Sequence, residues 1–121
     1  MSNNIPFKYI EKGLVKALKK VVDRNPGQIA LVDVDEELNY RQFWVRVTKI
    51  AKVLQKLDIK AGDRVIFCLP NSVNLVSLHF AILRLSAISV PLDPDSPSRS
   101  ILKVAAISKP ALLVFQGPVP T

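Results

Sequence analysis

The sequence predicts an α/β fold with three layers, in which crossover helices cover a largely parallel sheet. Two observations lead to this prediction. Between residues 62 and 115 apolar runs alternate with helical patterns, in the order strand, helix, strand, helix, strand. Two of the runs, RVIFCL and AISVPL, are almost continuously apolar, which is typical of parallel strands that are buried on both faces of a sheet.

The composition fits one soluble domain with one hydrophobic core. The chain has 121 residues, and 49% of them are hydrophobic. A chain of this size buries enough apolar surface for one core and too little for two. Polar residues interrupt the longest apolar run, so no transmembrane span is expected. The start lacks the order of a secretory signal and Cys68 is the only cysteine, so we expect a reducing, cytoplasmic location.

Residues 1–24 are predicted to form an N-terminal amphipathic helix. From about Tyr9 to Asp23 apolar residues recur at spacings of three and four. These residues are Ile10, Leu14, Leu18, Val21 and Val22. We expect this stripe to pack on the rest of the chain. The alternative is a weak contact with a membrane surface through the lysines of the helix. These lysines are Lys12, Lys16, Lys19 and Lys20.

The net charge of +7 could attract nucleic acid, anionic lipid or an acidic partner. The basic residues are dispersed along the chain, however, and the sequence contains no arginine-rich tract. The few aromatic residues do not interleave with the lysines as a base-stacking platform would. A specific nucleic-acid partner is therefore not expected.

Residues 25–116 are predicted to form the α/β subdomain. It begins at the Asn-Pro-Gly sequence of residues 25–27, which breaks the first helix. The runs QIALVD and LNY flank the acidic turn at residues 34–37 and predict a hairpin of two short strands. Residues 117–121 are expected to be a linker or a cut end, because their prolines cannot continue a central strand.

The helix after the hairpin has the clearest pattern. Its apolar residues recur at spacings of four, three, four and three. They are Phe43, Val47, Ile50, Leu54 and Leu57. Asn39 is the expected N-cap, and Gln42 lies three residues later, where its side chain can complete a capping box.

Two further helices are expected to cross over between the strands. Ser72 or Asn71 should cap a helix that runs to about Leu85 and is apolar on nearly every side. The next helix lies within SPSRSILKVAAIS, with Ser96 as its N-cap and Pro97 at its first helical position. The strand ALLVF follows it.

No residue is assigned to catalysis, cofactor binding or metal binding from these patterns. The four glycines are isolated, so the chain lacks the glycine-rich loop that cradles phosphates. His79 lies in the apolar helix and Cys68 in the apolar strand, where such residues usually belong to the core. The alternative to a chain without a binding site is a ligand site at the turn LPNS. Open α/β sheets often bind ligands where a helix follows a buried strand.

The carboxylates have structural interpretations. Four of them fall in the hairpin turn, which is ordinarily exposed to solvent. They are Asp33, Asp35, Glu36 and Glu37. Asp93 and Asp95 flank Pro94 in a rigid turn, where a carboxylate usually accepts a local backbone hydrogen bond.

Four segments together resemble the N-terminal portion of the adenylate-forming enzymes, the superfamily of acyl-CoA synthetases, peptide-synthetase adenylation domains and luciferases. LNYRQF is similar to the early LTY signature of the family, and KAGDRVIFCLPNS to its GDRV segment. HFAILRLSAISVPLDPDSP and LKVAAISKPALLVF resemble the segments that follow. Asn39 stands where the family usually has Thr, and Ser86 where it usually has Gly. Gly at a helix end supplies the positive φ that lets the helix end approach the next strand closely, and Ser does not favour this φ.

The resemblance implies that the chain is part of the large domain of a ligase that activates a carboxylic acid as an acyl adenylate. For a full-length enzyme the resemblance implies ATP and Mg²⁺ as cofactors. It also implies CoA where CoA is the acyl acceptor. The family's phosphate loop, magnesium ligand, adenine-binding segment and catalytic lysine lie further along its sequence. This chain alone is therefore expected to be inactive, with the remainder of the parent enzyme as its partner.

A standalone binding or assembly module that reuses the fold is the main alternative. Such a module would associate with itself through apolar surface that the parent enzyme covers.

Overall fold

The computed structural model describes residues 7–116, with side chains from residue 13 onward. The elements follow in chain order: α1 (Phe7–Arg24), β1 (Ile29–Val32), β2 (Glu37–Asn39), α2 (Tyr40–Lys56), β3 (Arg64–Cys68), α3 (Val73–Arg84), β4 (Ile88–Pro91), α4 (Ser98–Ser108) and β5 (Leu112–Phe115). The predicted order of strands and helices is confirmed. Residues 117–121, predicted to be a linker or cut end, lie outside the described residues.

The main sheet has three parallel strands in the order β4-β3-β5. Val65 of β3 pairs with Ser89 of β4 on one side and with Leu112 of β5 on the other. Strands β1 and β2 form a separate antiparallel hairpin, with an irregularity between Ile29 and Leu31. The prediction of a largely parallel sheet is confirmed, and the hairpin stands apart from it.

The two crossovers run in opposite directions across the sheet. The chain passes through α3 to β4 on one side, then returns through α4 to β5 on the other. Because such crossovers are right-handed, α3 and α4 cover opposite faces of the sheet. The sheet therefore lies between two layers of helices, which confirms the predicted three-layer arrangement.

The main core lies between the sheet and the helices α2 and α3. Val65 and Phe67 of β3 belong to it, together with buried residues of both helices. Side chains alternate between the faces of a strand, so Ile66 and Cys68 point to the face that α4 covers. All four are buried, which confirms that β3 is covered on both faces.

Helix α2 begins as the sequence predicts. The Asn39 side chain accepts a hydrogen bond from the Gln42 amide at 2.8 Å, and the Gln42 side chain accepts one from the Asn39 amide at 2.9 Å. The prediction that Leu57 belongs to the buried stripe is wrong, because its side chain is 55% exposed. The helix has ended at Lys56, and Ile59 of the following turn is buried instead.

Helices α2 and α3 end in the same backbone motif. Asp58 and Ser86 follow the two C-caps with φ of 63° and 58°. The Ser86 amide donates to the Leu83 carbonyl and the Ala87 amide to the Ile82 carbonyl, at 2.9 and 3.2 Å. This pair of bonds is a Schellman motif, which usually has glycine at the left-handed position. Ser86, which stands where the resembled family usually has glycine, therefore adopts the left-handed conformation.

The starts of α3 and α4 refine the sequence predictions. Ser72, rather than Asn71, is the N-cap of α3 and accepts from the Leu75 amide at 3.1 Å. The prediction of Ser96 as the cap of α4 is wrong by one residue, because Pro97 is the cap and has an extended ψ of 142°. The Ser96 amide instead closes a turn on the Asp93 carbonyl at 3.0 Å.

Helix α1 packs against α2 and α3, as its apolar stripe predicts. Val22 is buried and Leu18 packs against the core. The prediction is wrong for Leu14 and Val21, which stay exposed, since the contact is made by Leu18 and Val22, one turn apart on the same face. The side chains of Ile10 and Lys12 lie outside the described residues. None of the helices described is long and apolar enough to cross a membrane.

Candidate functional site

The carboxyl end of β3 opens into a crevice between β3 and β5. Strand order reverses here, and open α/β sheets bind ligands at such points. A cavity of about 500 Å³ lies in the crevice. It is lined by the hairpin turn 33–36, the turn 69–72 with Asn74, and the end of β5 at Phe115 and Gln116. The LPNS turn, predicted as the alternative ligand site, therefore lines this cavity.

Asp33 closes one wall of this crevice. Its Oδ2 accepts a hydrogen bond from the Val73 amide at the start of α3, at 2.8 Å. Its Oδ1 accepts from the amides of Asp35 and Glu36, both at 2.8 Å. These bonds, with the Val73 bond the largest cause, hold the pKa of Asp33 below its ordinary value. A carboxylate of the hairpin therefore caps a helix forty residues later in the chain.

Arg46 fixes the same hairpin from α2. Its guanidinium lies 2.7 Å from the Glu36 carboxylate and 3.3 Å from the Asn74 side-chain oxygen. The hydrogen bond to Glu36 raises the pKa of Arg46 above its usual value. The crevice is therefore walled by side chains that bond to one another, and three elements meet there. Sequence reasoning assigned Asp33 and Glu36 to solvent and missed these contacts, because nothing local marks a partner so distant in sequence.

The crevice does not fit the phosphates of ATP or a magnesium ion. Helix N-termini bind anions through free amides, but the Val73 and Leu75 amides of α3 already bond to Asp33 and Ser72. A carboxylate at this end would also repel a phosphate. Among the side chains of residues 13–116, no three His, Cys, Asp or Glu residues are grouped so that they could hold a metal ion.

A second cavity of about 560 Å³ lies on the other side of the 69–71 turn, beyond the end of β4. Asp93 and Asp95 line it together with Pro94. The Asp93 carboxylate accepts a hydrogen bond from the Asp95 amide at 2.9 Å. This bond confirms the prediction that the Asp93 carboxylate accepts a local backbone hydrogen bond in the turn.

Cys68 and His79 occupy apolar surroundings, as the sequence predicts. The Cys68 sulfur lies 3.5 Å from the Asp93 carbonyl, and burial raises the pKa of its thiol. The His79 Nδ1 lies 2.7 Å from the Ser89 hydroxyl, a pair that sequence reasoning missed. Burial lowers the pKa of His79, because it disfavours the charged imidazolium.

Comparison with known proteins identifies the family. The model of the AMP-binding enzyme family matches residues 18–120. Malpibaldin synthetase of Mortierella alpina is 39% identical over 93 residues, which are 77% of this chain and 2% of that protein. The L-proline--[L-prolyl-carrier protein] ligase of Pseudomonas fluorescens is 34% identical over 91 residues, which are 75% of this chain and 18% of that protein. The chain thus spans a small part of these relatives.

Solved structures agree in fold. A fatty acyl CoA synthetase of Mycobacterium tuberculosis superposes with a TM-score of 0.80 at 25% identity, covering 84% of this chain and 21% of that one. The N-terminal subdomain of NpsA from Klebsiella oxytoca superposes with a TM-score of 0.82 at 25% identity, covering 89% and 28%. Since the family model matches most of the sequence, the chain belongs to the AMP-binding, or adenylate-forming, enzymes and corresponds to an N-terminal portion of their fold.

Proposed function

We propose that the chain is the N-terminal part of the large domain of an ATP-dependent ligase that activates a carboxylic acid as an acyl adenylate. The observation that carries this proposal is the family match over residues 18–120. The names of the relatives include a prolyl-carrier-protein ligase and a fatty acyl CoA synthetase. The proposal therefore extends to a carboxylic acid as substrate, with CoA or a carrier thiol as the acceptor.

In this ligase the chain has a structural role. ATP and Mg²⁺ would be held by other parts of the enzyme, because the crevice at the end of β3 does not fit them. The contribution of these residues is a rigid framework: β3 buried on both faces, and a hairpin bonded to the start of α3. The chain by itself is therefore expected to be catalytically inactive.

The first experiment measures the intact mass of the natural gene product in its own cell extract. An antibody against the folded chain detects the product, and ATP–pyrophosphate exchange is then assayed on what it captures. We expect a species several times heavier than 13.4 kDa, with exchange that depends on a carboxylic acid. The 121-residue chain alone should give no exchange, and adding the remainder of the enzyme should restore it.

The control for restoration is the Phe67→Ala chain. Phe67 is 1% exposed in the core, and removal of such a ring costs about 3–5 kcal/mol, so this variant should fail to restore exchange. A natural product of 13.4 kDa, or exchange by the chain alone, would contradict the proposal.

A self-associating assembly module is the second candidate. The observation that favours it is the apolar surface that α4 leaves exposed, since Ile101 is the one buried residue of that helix. Ile107 of the same helix is 72% exposed. Apolar surface of this kind is suited to a second copy of the chain.

A further inference from the structure

Helix α2 carries a basic stripe, defined here as Arg41, Val45, Lys49, Lys52 and Lys56. At 3.6 residues per turn these positions fall within an arc of about 80° and extend over about 22 Å of the helix. All five side chains are exposed. Helix α2 contains no acidic residue at all. One face of the helix is therefore cationic from its first turn to its last.

The charges of the basic stripe are not neutralised by the described part of the chain. Among residues 13–116 the ion pairs are Lys19 with Asp23 and Arg46 with Glu36, and neither includes a cation of the stripe. Lysines three or four residues apart on a helix repel each other. Lys49, Lys52 and Lys56 have these spacings. A partner with negative charge would relieve this repulsion.

The surface beside the stripe is concave. Two adjoining cavities of about 370 and 380 Å³ share Arg41 and Val45 in their walls. Lys49 and Arg46 line the first cavity, which has no acidic residue among the described residues of its wall. Lys19 and Asp23 of α1, which form an ion pair, line the second. A cleft lined by one sign of charge, as the first cavity is, concentrates the field and attracts ligands of the opposite sign.

We propose that the basic stripe of α2 is a docking surface for an acidic protein segment, with Val45 supplying an apolar contact between the charged residues. The length of the stripe matches a partner helix of about four turns that carries a carboxylate on each turn. Charge complementarity of this kind sets the rate and specificity of association.

The side chains favour a protein over the other anionic partners. A membrane-surface helix inserts large apolar residues such as Trp, Phe or Leu, whereas the apolar member of the stripe is a valine. Single-stranded nucleic acid is bound by aromatic rings on which bases stack. The nearest such ring, Trp44, is already covered by the Arg84 guanidinium at 4.8 Å and the Lys19 ammonium at 5.8 Å.

The test measures binding of the full chain to a synthetic helical peptide with one glutamate per turn on one face. The Lys49→Glu, Lys52→Glu double variant is compared with an Arg99→Glu, Lys103→Glu double variant of α4. Both pairs are exposed and change the net charge equally. The stripe variant should weaken peptide binding at least about tenfold and the α4 variant less than about twofold. Circular dichroism confirms that both variants are folded.

Equal weakening by the two variants would overturn the proposal, because net charge alone would then explain binding. Vesicles containing phosphatidylserine and a DNA duplex of mixed sequence are tested with the same three chains. Tighter binding of either probe than of the peptide, with loss in the stripe variant, would also overturn it in favour of lipid or nucleic acid. The ATP–pyrophosphate exchange assay tests the proposed ligase separately, so a negative result here would not contradict that proposal.

Discussion

At the scale of single residues, the ends of α2 and α3 are held in a conformation that their side chains oppose. Asp58 and Ser86 have positive φ, where Cβ approaches the neighbouring carbonyl oxygen. The bonds of the Schellman motif keep them there and turn Ile59 and Ala87 into the core. The native contacts thus offset a local strain that glycine would not have.

Replacing Ser86 by glycine should therefore stabilise the chain. The Ser86→Gly variant keeps the backbone bonds of the motif and removes the strain at φ of 58°. The expected gain in the free energy of unfolding is about 0.5–1 kcal/mol, measured by urea denaturation. The matched control is Ser100→Gly inside α4, which should destabilise the chain because glycine is unfavourable within a helix. A loss of stability in Ser86→Gly would show that the Ser86 side chain makes a favourable contribution of its own.

At the scale of elements, the Asp33 carboxylate connects two units that do not pair as strands. The hairpin lies outside the main sheet, and its turn reaches α3 through the bond from the Val73 amide to Asp33. Arg46 adds a second connection from α2. Leu38 of β2 packs in the core, and these polar contacts fix the turn of the hairpin at the end of β3.

Removing the Asp33 carboxylate should destabilise the chain in a way that depends on pH. Asn at this position keeps one oxygen and cannot accept all three of the bonds that the carboxylate accepts. Asp33→Asn should therefore lower the free energy of unfolding at neutral pH. The folded-state pKa of Asp33 lies below its ordinary value of 3.8. Its stabilising effect is therefore complete above that pH and disappears as the pH falls through the lowered pKa.

The measurement is urea denaturation of both chains at neutral pH and at a series of acidic pH values. The difference between them should shrink in the acidic range. Asp35→Asn is the control, because the exposed Asp35 contributes its amide to the turn and its carboxylate accepts none of the bonds described there. A difference for Asp33→Asn that stays constant with pH would contradict the role given to its charge.

The sequence predicts elements well where local chemistry specifies them. Helix α2 has both a periodic apolar face and the Asn39–Gln42 capping box, so its position and start follow from neighbouring residues alone. The errors at Leu57 and Ser96 lie at helix ends, where one residue of turn geometry decides which side chain is buried or which residue is the cap. The bond from Val73 to Asp33 could not be predicted, because it depends on where the separate hairpin lies against the sheet.

At the scale of the whole molecule, the two faces of the sheet are covered unequally. Helices α2 and α3 form a broad core over one face. On the other face α4 buries Ile101 and leaves Ile107 exposed. The second candidate function, self-association, depends on this difference.

If the chain self-associates through the α4 face, Ile107→Lys should shift it towards the monomer. Val34→Lys is the matched control, since Val34 is fully exposed in the hairpin turn and the variant gains the same charge. Sedimentation velocity over a range of protein concentrations measures the change. A wild-type chain that is monomeric at every concentration would rule out the assembly module.

The two edges of the main sheet also differ. The amides of Ile88 and Leu92 donate to carbonyls of the loop before β3 and of β3 itself, at 2.7 and 2.8 Å. Alternate amides of a parallel strand point to opposite sides, so those of Ser89 and Pro91 belong to the outer edge of β4. Pro91 has no N–H, which leaves Ser89 as the one donor within the strand on that side.

Strand β5 has no such block between Leu112 and Phe115. The Ala111 amide donates to the Arg64 carbonyl at 2.8 Å, so the amides of Leu112 and Val114 point away from β3. A further strand would find a regular row of donors and acceptors beside β5 and an interrupted one beside β4. We therefore expect any strand added to this sheet to pair with β5, because the pyrrolidine ring of Pro91 interrupts the other edge.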